Sequence, residues 1–149
     1  MIAKYKNRYF CVDLTIKPVE IWRYDAVEGF EICIDDDLVY YSKFLDINEI
    51  DEIFDVGFSA LWNGEWCGFD ISFDTNRIEI YSNSPTFAEK YKMEEIERCA
   101  YKLIVSIDDI TEFKVVYRDS DGIITREESI SLDELKVLYK QFYTDLLPH

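Results

Sequence analysis

Asp119, Asp121, Gly122, Ile124 and Glu128, within the stretch YRDSDGIITREE, stand at almost the spacing of a calcium-binding loop. With Gly122 at the sixth position, Asp119 and Asp121 fill the third and fifth, Ile124 the eighth and Glu128 the twelfth, where a bidentate ligand belongs. The first position then falls on Tyr117, which has no carboxylate. The flanks also disagree. EFKVVYR places Phe113, Val115 and Tyr117 on one side of a strand, whereas a calcium loop of this kind sits between helices. DSDG therefore reads as a hairpin connection, with short polar residues turning the chain and glycine in the left-handed position.

Other chemistry is thin. The one histidine is His149, the last residue, which argues against histidine-activated nucleophiles and histidine metal sites. No Walker loop, G-x-G-x-x-G or G-x-S-x-G occurs. Asp70, on a strand beside Trp66 and near Ser72, is the best single candidate for carboxylate acid–base work. Its alternation with apolar neighbours reads more simply as the solvated face of a half-buried strand. Asp35, Asp36 and Asp37 are adjacent, and adjacent side chains splay rather than converge on one ion. They read as a polar turn between EICI and LVYY. Cys67 shares a face with Phe69 and Ile71, which makes it a packed, inert thiol. Neither a catalytic residue, a metal nor a cofactor is expected.

The elements that hold these residues follow from periodicity. RYFCVDLTI alternates, with Phe10, Val12, Leu14 and Ile16 on one face, and predicts a strand. Pro18 interrupts it, and VEIWRY continues as a second strand or an edge. GFEICI puts Phe30, Ile32 and Ile34 on one face. DINEIDEIFD spaces Ile47, Ile50 and Phe54 like one side of a short helix. FSALW and EWCGFDISF flank Asn63-Gly64, the preferred two-residue hairpin turn, and RIEIYS follows after DTN, giving a three-stranded meander. Ser84-Pro85 opens a helix with the stripe Met93, Ile96, Ala100 and Leu103. Ser131 and Glu134 form a capping box for a last helix lined by Leu135, Leu138, Phe142 and Leu146. The expectation is one α+β domain over residues 1–149: a largely antiparallel sheet with a central meander, packed against two longer helices and one short helix.

The strongest global fact is charge. Sixteen Lys and Arg against 31 Asp and Glu leave −15 on 149 residues. With 48% hydrophobic residues the chain is no disordered acidic tail. So negative a surface repels nucleic-acid phosphates and anionic lipids, and attracts basic proteins or cations. No apolar run approaches a membrane span, and MIAKYKNRYF has no apolar signal core. A cytoplasmic setting follows, in which Cys11, Cys33, Cys67 and Cys99 are expected as buried free thiols. Residues 30–75 carry one basic residue, Lys43, against twelve acidic ones.

Binding is therefore the better prospect. Asp35, Asp36, Asp37, Asp46, Glu49, Asp51, Glu52, Asp55, Glu65 and Asp70 are interleaved with Tyr40, Tyr41, Trp62 and Trp66. Aromatic anchors ringed by one sign of charge describe many protein interfaces. In the expected short helix, Asp51 and Asp55 stand four apart and Glu49 and Glu52 three apart, a repulsion that a sequence selected for stability alone would avoid. A small, acidic, aromatic-rich chain of this class, with EICIDDDLVYY, DINEIDEIFD and LWNGEWCGFD, resembles the immunity proteins of bacterial toxin systems, the contact-dependent growth inhibition type most closely. The resemblance covers the overall character of the chain, and such families share no common fold or binding residues, so it assigns no site. It implies function by tight binding, with a cognate toxin domain, often a basic nuclease, neutralised in the cytoplasm. Three alternatives stay open: an interaction module that inhibits nothing, a nucleic-acid mimic that blocks a host or phage nuclease, and a hydrolase that works with carboxylates alone.

Overall fold

β-Branched and aromatic residues alternate with polar ones through most of this sequence, and that pattern pairs best on a pleated surface. The computed structural model describes residues 1–148; His149 lies outside the described residues. Those residues form β1 (Ile2–Tyr5), β2 (Arg8–Asp13), β3 (Val19–Arg23), β4 (Glu31–Asp35), β5 (Leu38–Leu45), β6 (Glu52–Trp62), β7 (Glu65–Ser72), β8 (Arg77–Ser82), β9 (Glu94–Glu97), β10 (Ala100–Ser106), β11 (Glu112–Arg118) and β12 (Ile124–Ile130). Two α-helices accompany them, α1 (Pro85–Tyr91) and α2 (Leu132–Phe142). The chain divides into two compact units: Met1–Val56, Tyr117–Arg126 and Val137–His149 in unit 1, and Gly57–Val116 and Glu127–Lys136 in unit 2.

In unit 1 the strand order is β4-β5-β3-β2-β1-β6, with antiparallel neighbours. Its core gathers Ala3, Tyr5, Phe10, Val12, Val19, Ile21 and Leu45. Phe30 stacks on Phe10 at 5.1 Å between ring centroids. Each large side chain taken out of water here contributes about 1.5–3 kcal/mol. Tyr9, Phe54, Tyr117 and Phe142 make a second aromatic group of mostly edge-on contacts. Asp36 and Asp37 take φ of 44° and 69°, and join β4 to β5 as a two-residue turn of the kind that suits strand twist.

In unit 2 the order is β6-β7-β8-β10-β9. Asn63 and Gly64 turn β6 into β7 with φ of 46° and 81°, and the meander β6–β7–β8 stands where the sequence places it. Ala60, Cys67, Ile78, Ile80, Val115 and Leu135 are buried there. Trp62 packs against Phe87 and Tyr91 at 5.8 and 4.7 Å.

The hairpin reading of DSDG is what the chain adopts. β11 pairs with β12, Gly122 has φ of 81°, and the Asp119 carboxylate accepts the N–H groups of Asp121 and Ile123. The α+β class therefore stands at the coarse level, and the helices need correction. There is one long helix, α2, and one short one, α1, in place of two longer helices and one short. The α1 helix ends after seven residues, because Lys92 turns left-handed and its N–H and that of Met93 bond back to the last carbonyls. Beyond it, Glu94, Glu95 and Glu97 would oppose the negative end of a longer helix, and Ile104, Val105 and Ile107 favour extension. The stripe Met93, Ile96, Ala100 and Leu103 is thus split between a turn, β9 and β10. DINEIDEIFD is not a helix either. Asp46 and Glu49 close a capping box around a single 3-10 turn, and Ile50 then extends. From there Phe54, Val56, Phe58, Ala60 and Trp62 alternate, and period two wins over 3.6.

Candidate functional site

Because β3 lies between β2 and β5, side chains from three separate stretches meet on one face of unit 1. Asp13 stands directly opposite Glu20, and Glu20 opposite Phe44. Trp22 faces Ser42, Cys33 faces Tyr40, and Asp35 faces Leu38. The result is a cleft of about 230 Å³ lined by Asp13, Glu20, Trp22, Tyr24, Asp35, Leu38 and Tyr40. Three carboxylates and three partly exposed rings share it.

Its electrostatics are unbalanced. The Thr15 hydroxyl and N–H bond to Asp13 at 2.6 and 2.8 Å and hold that carboxyl below its usual range. Tyr40 is pushed up, by desolvation first and then by Cys33, Glu20 and Asp35 nearby. Among the described residues, Asp13, Glu20 and Asp35 make no ion pair. Like charges directly opposite on a sheet destabilise it, so the pair Asp13–Glu20 costs stability, and the two Thr15 bonds to Asp13 offset part of that cost.

The residues expected from the sequence fall into several places. Asp35 and Tyr40 line the cleft, and Asp36 and Asp37 form the turn beside it. Tyr41 lies on the opposite face of β5. Asp46 and Glu49 are committed to capping their own turn, at 2.8 Å from the Asp46 N–H to Glu49. Asp51 accepts the Lys6 N–H at 3.1 Å, and Asp55 pairs with the Met1 ammonium at 3.2 Å. Glu52 is exposed at the start of β6. Residues 46–55 form no helix beyond one 3-10 turn, so Asp51 and Asp55 do not repel across a helical turn.

In unit 2, Trp62 is only 9% exposed and belongs to the packing. Glu65, Trp66 and Asp70 lie on β7, and Trp66, at 38% exposure, carries the Lys114 ammonium 4.3 Å above its ring. Asp70 stands opposite Glu79, and both accept from the Tyr81 hydroxyl, at 2.7 and 2.6 Å. Those two bonds raise the Tyr81 phenol far above its ordinary range.

Five cleft residues, Asp13, Glu20, Trp22, Tyr24 and Leu38, were not among those expected. The signal of the first four was present as alternation in VDLTIKPVEIWRY, but the pairing of β3 with β5 brings them to Asp35 and Tyr40. A larger cavity in unit 1, about 500 Å³, is mixed in charge: Lys4, Arg126 and Glu52 line it, with Arg126 4.0 Å above the Tyr117 ring. Two cations against one carboxylate make it a poorer seat for a basic partner than the cleft. The four cysteines are free. Cys67 is buried, and burial and Glu65 push its thiol up to about 11, in keeping with an inert role. Cys99 is exposed and Cys11 and Cys33 half-buried, which corrects the expectation of four buried thiols. No helix of the described residues is long and apolar enough to cross a membrane. No protein-family model, curated protein or solved structure matches the chain.

Proposed function

We propose that this chain is a non-enzymatic binding protein that captures a basic protein partner on the acidic, aromatic cleft of unit 1. The observation that carries the reading is the set Asp13, Glu20 and Asp35, three carboxylates without an internal cation around Trp22, Tyr24 and Tyr40. A partner that brings Lys or Arg into the cleft relieves the Asp13–Glu20 repulsion, and the rings supply the apolar anchor such interfaces need. Asp36 and Asp37 extend the same field over the neighbouring turn. Long-range attraction of this kind speeds encounter, and speed matters most when the partner is a poison.

The function that best uses these properties is immunity: neutralising a cognate toxin domain, such as a basic nuclease, in the cytoplasm of the cell that makes it. The resemblance to immunity proteins of contact-dependent growth inhibition supports it at the level of overall character. The test is co-expression with the product of the gene directly upstream. Survival only when this chain is present, together with a complex that weakens as salt rises, is the expected result. A harmless upstream product, or protection unaffected by removal of the cleft carboxylates, would overturn it. An interaction module without inhibitory action would give the complex and no protection.

One observation favours a second reading. Asp70 and Glu79 share a single phenol in unit 2, an arrangement that keeps two carboxylates close, as carboxylate-dependent hydrolases require. Hydrolysis of a sugar or phosphoester abolished by Asp70→Asn would move the assignment to that class.

A further inference from the structure

Strand β4 closes one end of the strand order in unit 1, and among the described residues no strand pairs with its outer edge. Its hairpin closes on Asp35 and Leu38 around the two-residue turn. In such a turn the closing pair exchanges both backbone bonds, and bonded and unbonded pairs alternate from there. Glu31, Cys33 and Asp35 therefore direct their N–H and C=O groups at β5, and Ile32 and Ile34 direct theirs outward. Those two side chains are 66% and 74% exposed, and Val39, across from Ile34, is 46% exposed. The corresponding end strand of unit 2, β9, carries Glu94, Glu95 and Glu97, the usual protection against unwanted pairing. The middle of β4 is Ile-Cys-Ile, with no charge, proline or bulge.

We infer that β4 is a docking edge for an extended, alternately apolar and cationic segment of the basic partner; the inference rests on the basic-partner reading above. Alternation fixes the pattern of that segment. Side chains opposite Ile32 and Ile34 lie on the face that holds Val39 and Tyr41, and are apolar. Side chains opposite Glu31 and Asp35 lie on the cleft face, and are Lys or Arg. A second copy of this chain is the poorer occupant. In two-fold antiparallel pairing centred on Cys33, Glu31 of each copy would stand opposite Asp35 of the other, two like-charge pairs in a five-residue strand.

The test uses the full chain and, as probe, a cyclic β-hairpin peptide with one strand of arginine, valine, threonine, valine and lysine. In an NMR titration the amide signals of Ile32 and Ile34 should move, and their hydrogen exchange should slow. Ile34→Pro removes one outward N–H and leaves the ladder to β5 intact, so binding should weaken by about tenfold or more. Undiminished binding by a folded Ile34→Pro chain overturns the proposal. Should that variant fail to fold, the hairpin N-methylated along its docking edge decides against the unaltered chain: lost binding supports pairing, and retained binding overturns it. Equal binding of a hairpin with glutamate in place of its cations overturns the assigned chemistry. Shifts confined to Trp22, Tyr24 and Tyr40 overturn edge pairing while the basic-partner reading stands. Absent protection in the co-expression test, with the Ile32 and Ile34 shifts intact, removes the immunity reading and spares the edge. A dimer in sedimentation that Ile34→Pro abolishes would assign the edge to a second copy and overturn the partner segment.

Discussion

Single residues carry opposite demands in the cleft, and that opposition can be measured. Glu20 stands across from Asp13 and makes no ion pair among the described residues, so Glu20→Gln should raise folding stability, by about 0.2–1 kcal/mol, the usual range for a cross-strand charge pair. The same change should slow association with a basic partner. Urea denaturation and stopped-flow mixing read the two effects, and a loss of stability would mean that Glu20 has an internal role. Trp22→Ala should cost the complex about 2 kcal/mol or more in calorimetric titration, as a central aromatic anchor does. Asp25 shows the contrasting case of an aspartate used for structure. Burial pushes its carboxyl up, but the hydrogen bond from Arg23 at 2.5 Å and the charges of Arg23 and Arg8 outweigh burial and hold it below the usual range. A depressed folded value means stability that is present above the unfolded value near ~3.9 and lost as pH falls through the folded one. Asp25→Asn should therefore lower the melting temperature at pH 7, and the gap should close in strong acid. Because the side chain is well exposed, the effect should stay under about 1 kcal/mol. Two of the seven cleft residues were legible in the sequence: Asp35 and Tyr40 lie in a stretch dense with carboxylates. Glu20 and Trp22 lie in a stretch near neutrality, and only the β3–β5 pairing makes them part of the same surface.

At the scale of elements, strands were easier to read than helices, for a physical reason. A strand in this chain is fixed by alternation and by its turn, and both are local: Asn63-Gly64 and the DSDG connection appear where the residues place them, and the aspartate turn does so at Asp36 and Asp37, with Asp35 closing the strand before it. A helix is fixed by its ends, and two ends were hidden. The capping box at Asp46 promises a helix that stops after one turn, since Ile50 already extends. The stop of α1 is Lys92, a residue type that carries no left-handed signal. Its φ of 54° and ψ of 45° cost a non-glycine residue energy. Lys92→Gly should thus raise stability by about 0.5 kcal/mol after glycine's larger unfolded-state entropy is counted. A shift of the urea midpoint at constant slope would show it, and no shift would mean that the stop is set by the strands that follow. The start of the last helix was legible because its cap is local: Ser131 accepts the Glu134 N–H at 3.1 Å, and Glu134 reaches back to the Ser131 N–H and hydroxyl. Its end was not, since the helix stops at Phe142 and Leu146, expected on it, lies in a separate 3-10 turn.

Taken as a whole, the molecule is more evenly acidic than its sequence suggests. The run at residues 30–75 nets −11, yet unit 1 nets −7 and unit 2 −8, because the run is divided between the units and unit 2 also holds the acidic excess of residues 76–116 and 127–136. Local crowding, rather than total charge, then distinguishes the cleft. Self-repulsion among so many carboxylates opposes the folded state, and mobile ions screen it over about 10 Å at 0.1 M salt. Added sodium chloride should therefore raise the melting temperature. The same screening should slow association with a basic partner, by about tenfold or more between low and moderate salt if steering dominates the encounter. The two responses have opposite signs from one cause, which is what makes the pair informative. Scanning calorimetry and stopped-flow mixing across one salt series measure both. A melting temperature that falls with salt would mean that internal ion pairs, such as Arg23–Asp25 and Lys114–Glu127, outweigh repulsion. An association rate indifferent to salt would place recognition on apolar contact alone, and the unpaired carboxylates of the cleft would then need another explanation.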